Sequence, residues 1–324
     1  MADPTDWRDA RLRSVRDLAP DIRLFEIEPS EAFVPPTPGS HIDVVVQIGE
    51  RPDVRSYSIV GPCGDGLYRI AVKLLGDTRG GASYLWRLAP GARMTISTPR
   101  NHFELSPGRP EYLLIAGGIG ITPIFTMALF LAQAGAKFRL LYACRRRRDL
   151  ALADDLRERI GSRLELFVGE EGARLDLAAE IARLGPGGEL YLCGPIRMLE
   201  AAKRHWQRSG RPIDQLRFET FGNSGHLASE PFTVKIPRLG REIDVPLNQT
   251  ILEALEAAGI EMIYDCRRGE CGLCALDILD VQGVVDHRDV FFSDEEKASN
   301  RKLCTCVSRV AGGSITLDTA DRPG

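Results

Sequence analysis

The chain has 324 residues, room for two or three domains, and a formal net charge of -3 at pH 7 with 27% charged residues. That balance gives no reason to expect nucleic acid, and no apolar run reaches the length that spans a bilayer. The opening Met1-Ala2-Asp3-Pro4-Thr5 has no signal-peptide pattern, and the eight cysteines do not read as a disulfide set. Cys63, Cys144 and Cys193 are scattered like buried, reduced thiols, so a cytoplasmic protein is expected.

Residues 1–106 read as short strands divided by Pro and Gly turns. Ile22–Ile27 alternates, Ile42–Ile48 is apolar and β-branched, and Tyr68–Val72 alternates again. Many short strands predict a small antiparallel β-barrel. Within it, Arg55-Ser56-Tyr57-Ser58 puts a cation and an aromatic on one strand face, suited to a planar, phosphate-bearing ligand. Ala71-Val72-Lys73 follows, then a turn with Arg79-Gly80-Gly81-Ala82-Ser83 before a helix predicted to end near Ala89. Free amides at that helix start can hold a phosphate; the plainer alternative is a turn that only starts a helix.

Residues 107–222 change character. Tyr112–Ala116 is a continuous apolar run, as for a parallel strand buried on both faces. Further strands at Phe138–Ala143, Leu164–Phe167 and Glu189–Cys193 alternate with helices, which predicts a doubly wound α/β domain with ligands at the strand C-termini. The loop Gly117-Gly118-Ile119-Gly120-Ile121-Thr122-Pro123 sits at such an end, with Pro123 expected at the first helical position. It reads as a pyrophosphate turn or as a packing turn. Cys193-Gly194-Pro195 ends another strand and leaves room for a flat ring. Arg145 to Arg148 followed by Asp149 lie where an adenosine ribose is recognised. Asp149 favours a free 2′-hydroxyl, the arginines a 2′-phosphate, and a solvated charged turn accounts for most of them.

Residues 223–231 read as a flexible linker, and 232–324 as the last domain. Phe232–Ile236 and Ile243–Val245 predict a hairpin, and Ile251–Ala258 an amphipathic helix. Then Cys266, Cys271 and Cys274 follow the C-x4-C-x2-C spacing of a plant-type 2Fe–2S cluster, with Gly269 and Gly272 allowing positive φ in the tight loop. The fourth ligand is Cys304 or Cys306. Structural zinc is the alternative, but it prefers paired C-x2-C knuckles. His287 reads as a bystander.

Taken together these pieces resemble the phthalate dioxygenase reductase-like family over nearly the whole chain. The resemblance implies an antiparallel β-barrel flavin domain, an α/β nicotinamide domain and an α+β (β-grasp) ferredoxin domain. It implies that Arg55, Ser56, Tyr57 and Ser58 bind flavin, and that the Arg79-Gly80-Gly81 turn marks FMN rather than FAD. Family members commonly have Ser directly after the two glycines, where this chain has Ala82 and then Ser83. It implies further that Gly117, Gly118, Gly120, Thr122 and Pro123 bind NADH, with Cys193 and Phe221 beside the nicotinamide and flavin; NADPH stays open through Arg145. The ending Cys306-Val307-Ser308-Arg309 matches the family's ligand-bearing Cys-Val-Ser-Arg, which favours Cys306 over Cys304. The implied role is a monomeric reductase that feeds single electrons to a Rieske-type aromatic ring-hydroxylating or O-demethylating oxygenase, with no acid–base side chain required. Other readings are the reductase of another multicomponent monooxygenase, against which domain order argues, and a non-enzymatic iron–sulfur redox sensor, which leaves two nucleotide sites unexplained.

Overall fold

The computed structural model describes residues 6–49, 51–61, 64–74, 80–221, 227, 229–247 and 249–319. The chain forms two compact units, Met1–Glu219 and Thr220–Gly324.

The first unit opens with six antiparallel strands, β1 (Trp7–Ala19), β2 (Ile22–Pro29), β3 (His41–Ile48), β4 (Arg51–Ser58), β5 (Tyr68–Lys73) and β6 (Arg93–Ser97), plus the short helix α1 (Gly81–Trp86). They lie in the order β4-β3-β6-β1-β2-β5. Alternate side chains, among them Phe25, Ile42, Val44, Ile70 and Ile96, form the core. The expected barrel is not closed by a ladder among the described residues. Edge strands β4 and β5 meet at one isolated bridge, Ile59 to Ile70, beside a 2.8 Å bond from the Val60 amide to the Arg69 carbonyl. The chain leaves that contact at Gly61, whose φ of 79° turns it away.

The second sheet is parallel: β7 (Tyr112–Gly117), β8 (Phe138–Cys144), β9 (Leu164–Val168), β10 (Glu189–Cys193) and β11 (Leu216–Glu219), in the order β11-β10-β7-β8-β9. The crossover helices are α2 (Ile121–Gln133), α3 (Ala153–Ile160), α4 (Leu177–Arg183) and α5 (Ile196–Arg208). Every residue of β7 is buried. Strand order reverses between β7 and β10, so their carboxyl ends open the crevice in which such sheets bind ligands. Pro123 is the third residue of α2, not the first as predicted. A 3-10 turn over Gly118–Gly120 leads in, and the helix takes over at Ile121; proline is still tolerated because the first amides have no helical partner.

The second unit has a mixed sheet, β12 (Phe232–Ile236), β13 (Arg241–Val245), β14 (Ala275–Asp286), β15 (Lys302–Cys304) and β16 (Arg309–Asp318), ordered β13-β12-β16-β14-β15. The predicted hairpin is β12–β13, paired Phe232 to Val245. Helix α6 (Ile251–Ala257) covers the sheet through Ile251, Ala254 and Leu255. It starts at a capping box: Glu253 N–H donates to Thr250 Oγ1 at 3.1 Å, and Thr250 N–H to the Glu253 carboxylate at 2.7 Å. The chain between α6 and β14 carries the cysteine loop, and α7 (Asp294–Ser299) follows β14. Among the described residues no helix is long and apolar enough to cross a membrane.

Candidate cofactor sites

The cysteine loop folds around one sulfur. The backbone amides of Arg268, Glu270 and Cys271 all donate to Cys266 Sγ, each at 3.4 Å. Positive φ at Arg267 (50°) and Gly269 (75°) turns those amides inward. A Cβ at Gly269 would meet Val307 Cγ2 at 2.6 Å and Asp289 Cα at 2.9 Å, and one at Gly272 would enter the Phe291 ring. Only glycine fits either place. Five thiols converge. Cys306 faces both Cys266 and Cys274, Cys304 faces Cys274, and Cys271 faces Cys266. The Cys306 contact, helped by the backbone amides, lowers Cys266 to about 4 against burial. Cys304 and then Cys306 lower Cys274 to about 3. The opposite holds for the others: Cys304 and Cys306 are pushed up as partners of those sulfurs, and Cys271 by burial. Cys274, Cys304 and Cys306 are buried in a small apolar cluster with Leu252, Phe292 and Val307. Soft thiolate donors, an amide cradle and glycine at both tight points fit a 2Fe–2S cluster. His287 is engaged elsewhere: its Nε2 lies 2.9 Å from Asn300 Oδ1.

In the first sheet, Arg55 and Tyr57 share a half-buried face of β4 while Val54 and Ser56 are exposed. The Arg55 stem crosses Gly81, where a Cβ would stand 2.7 Å from Arg55 Cγ, so the two predicted flavin motifs meet. Arg55 also pairs with Asp53 at 2.7 Å. Ser56 turns to the other face and donates to Asp43 Oδ1 at 2.5 Å, while Ser58 is buried beside His41. Gly80 has φ 84° and precedes α1, so Gly81, Ala82 and Ser83 form its first turn; α1 ends at Trp86, short of the predicted Ala89. On β5, Val72 joins the core, and Ala71 and Lys73 take the opposite face, where Lys73 meets Asp21 at 3.2 Å. Arg79 lies outside the described residues, as does Cys63.

At the switch point the predicted glycines pack against each other. A Cβ at Gly117 would meet Pro195 Cδ at 2.6 Å, one at Gly194 would stand 3.1 Å from Gly117 Cα, and one at Gly120 would strike the Cys193 carbonyl. Gly118 differs: its φ is 55° and no atom lies within 4 Å of where its Cβ would be. Thr122 is buried and donates to Ile119 O at 3.0 Å. At the end of β8, Arg145 to Arg148 are all exposed, as a solvated turn would be. Arg147 is turned away to Glu171, and Asp149 is half-buried, with its carbonyl 3.6 Å from Cys144 Sγ. Phe221 is half-buried and belongs to the second unit.

One contact to the cluster loop has no signal in the sequence. Thr220 and Glu270 hydrogen-bond across fifty positions, and no local pattern signals a pair so far apart. In the predicted linker, Arg288 reaches Ser229 Oγ at 3.2 Å and Arg309 reaches the Glu230 carbonyl at 3.0 Å.

Two family models match: a 2Fe–2S iron–sulfur cluster binding domain over residues 234–311, and an oxidoreductase NAD-binding domain over residues 114–166. The chain is 38% identical to tetrachlorobenzoquinone reductase of Sphingobium chlorophenolicum, covering 98% of this chain and all of that protein. It is 35% identical to the carnitine monooxygenase reductase subunit of Escherichia coli K12, covering 96% and 98%. Among solved structures, phthalate dioxygenase reductase superposes with a TM-score of 0.75 at 29% identity, covering 97% of this chain and 98% of that one. With sheet order, cysteine loop and full-length likeness in agreement, the chain belongs to the phthalate dioxygenase reductase-like family, oxygenase reductases that carry electrons from nicotinamide through flavin to a 2Fe–2S cluster.

Proposed function

We propose that this reductase uses NADH and FMN and delivers single electrons to a Rieske-type terminal oxygenase acting on an aromatic compound. In this reading residues 1–106 hold FMN, 107–222 the nicotinamide dinucleotide, and 232–324 the cluster, joined by a linker at 223–231. Bound there, flavin supplies the change from two-electron to one-electron transfer, and the cluster carries the single electrons. The chain's own part is to place them. Arg55, Tyr57, Gly80 and Gly81 cradle the flavin and its phosphate, with Ala71, Val72 and Lys73 beside the ring. The Gly117–Pro123 turn and Cys193-Gly194-Pro195 hold the dinucleotide. Cys266, Cys271, Cys274 and Cys306 ligate iron.

The observation that carries this reading is the convergence of five cysteines on a loop whose amides already face one sulfur. Large apolar side chains around that loop, Ile263, Leu273 and Phe291, are about half exposed, as a surface that meets a redox partner would be. The reading includes a monomer in the cytoplasm; none of the seven described cysteines is in a disulfide, which suits a reducing compartment.

The test combines heat-release of the flavin, NADH-driven cytochrome c reduction, and product formation with purified oxygenases. One equivalent of FMN and turnover with a Rieske oxygenase are expected. Recovery of FAD would remove the flavin assignment, and turnover only with a non-Rieske oxygenase would remove the partner. The 38% identical quinone reductase favours a second reading, direct reduction of a halogenated quinone. NADH-dependent quinone reduction that outpaces electron delivery to every oxygenase tried would select it.

A further inference from the structure

Thr220 is the first residue of the second unit, yet it is locked onto the cysteine loop. It is 5% exposed. Its hydroxyl donates to the Arg268 carbonyl at 2.9 Å and lies 3.2 Å from Glu270 Oε1, and its backbone N–H donates to that same carboxylate oxygen at 3.0 Å. Arg268 and Glu270 are two of the three residues whose amides donate to Cys266 Sγ. The same two residues are therefore gripped by Thr220 and offer their N–H groups to the sulfur. Gly269, between them, is fixed as well: its carbonyl accepts from Val290 N–H at 2.9 Å, and any Cβ there would strike Val307 and Asp289.

We propose that Thr220 is a positioning residue that raises the reduction potential of the cluster by holding the Arg268–Glu270 turn so that its amides aim at Cys266. N–H dipoles directed at a ligating sulfur stabilise the charge gained on reduction. Without the hydroxyl, the Arg268 carbonyl loses a buried donor and the turn relaxes, so the amides point less squarely at the sulfur. The inference rests on the assignment of Cys266 as a ligand.

The experiment compares full-length wild type, Thr220→Val and Thr220→Ser. Valine keeps the shape and removes the hydroxyl; serine keeps the hydroxyl. Potentiometric titration is followed by visible absorption for both cofactors and by EPR for the reduced cluster. The valine variant is expected to show a more negative cluster midpoint and an altered EPR line shape, while the flavin midpoint in the same molecules stays put and serine restores wild-type values. An unchanged cluster midpoint in the valine variant overturns the proposal, as does an equal shift of cluster and flavin, which would report general disruption. If valine fails to assemble a cluster, Thr220→Ala replaces it; loss in both, with retention in serine, assigns Thr220 to assembly and also overturns tuning. A wild-type protein with no 2Fe–2S EPR signal would instead overturn the ligand assignment beneath it.

Discussion

Cys304 and Cys306 stand two positions apart and are equally buried, so their sulfurs are separated by reach rather than by shelter. Cys306 faces both Cys266 and Cys274, whereas Cys304 faces Cys274 alone and ends strand β15, paired with Ala275. The fourth ligand would have to converge with the other cysteines of the loop, and Cys306 faces two of them. Cys306→Ser is therefore expected to lose the normal visible and EPR spectra, and Cys304→Ser to keep them; the opposite pattern would exchange the two assignments. A second residue-scale expectation concerns Asp149. It is half-buried at the end of β8, where a carboxylate favours the ribose hydroxyl of NADH, and Arg147 is occupied with Glu171. A kcat/KM for NADH above that for NADPH should follow. An NADPH value equal or higher would shift attention to Arg145 and Arg146, both exposed and without a described ion pair. The cysteine spacing made most of the cluster site legible from sequence, because one tight loop must supply three thiolates. Thr220 was not legible, because its contact spans fifty positions and depends on how the chain returns.

Elements were legible where burial is uniform. β7 reads as an unbroken apolar run because both faces of a parallel strand are covered. β1, the longest strand, left no such trace. Its register slips between Leu12 and Ser14 and again between Asp17 and Ala19, so the alternation that marks a half-buried strand is broken twice. The Gly117–Pro123 turn shows a subtler limit: sequence cannot say which glycines exist for φ and which for space. Gly120 has an ordinary helical φ of -60°, and its Cβ would strike the β10 backbone at Cys193. Gly118 has open space but a φ of 55°. Gly120→Ala should therefore push the start of α2 off β10, costing about 1–3 kcal/mol and raising KM for NADH. Gly118→Ala should cost about 1–2 kcal/mol through backbone strain alone. Thermal unfolding and initial-rate kinetics distinguish them; a wild-type Tm and KM in Gly120→Ala would refute the packing role.

At the scale of the whole chain, the predicted flavin and nicotinamide motifs other than Phe221 fall in Met1–Glu219 and the cluster cysteines all fall in Thr220–Gly324. Each of the three sheets has its own strand order, and the flavin-side and cluster-side sheets each close their own core. The two-electron half of the reaction should therefore survive loss of the one-electron half. Cys266→Ser removes the sulfur that accepts three amide bonds, and with it the anchor of the loop. Serine keeps the size but is a poor iron ligand, so cluster content should fall while the first unit keeps its flavin. In that variant NADH should still reduce the flavin at close to the wild-type rate in stopped flow. Ferricyanide reduction, which can draw on reduced flavin, should persist. Cytochrome c reduction and delivery to an oxygenase should fall about tenfold or more, in line with the loss expected when a metal site is disrupted. If flavin reduction by NADH collapsed together with cytochrome c reduction, the cluster loop would be part of the hydride-accepting site, and the division of labour between the units would be wrong.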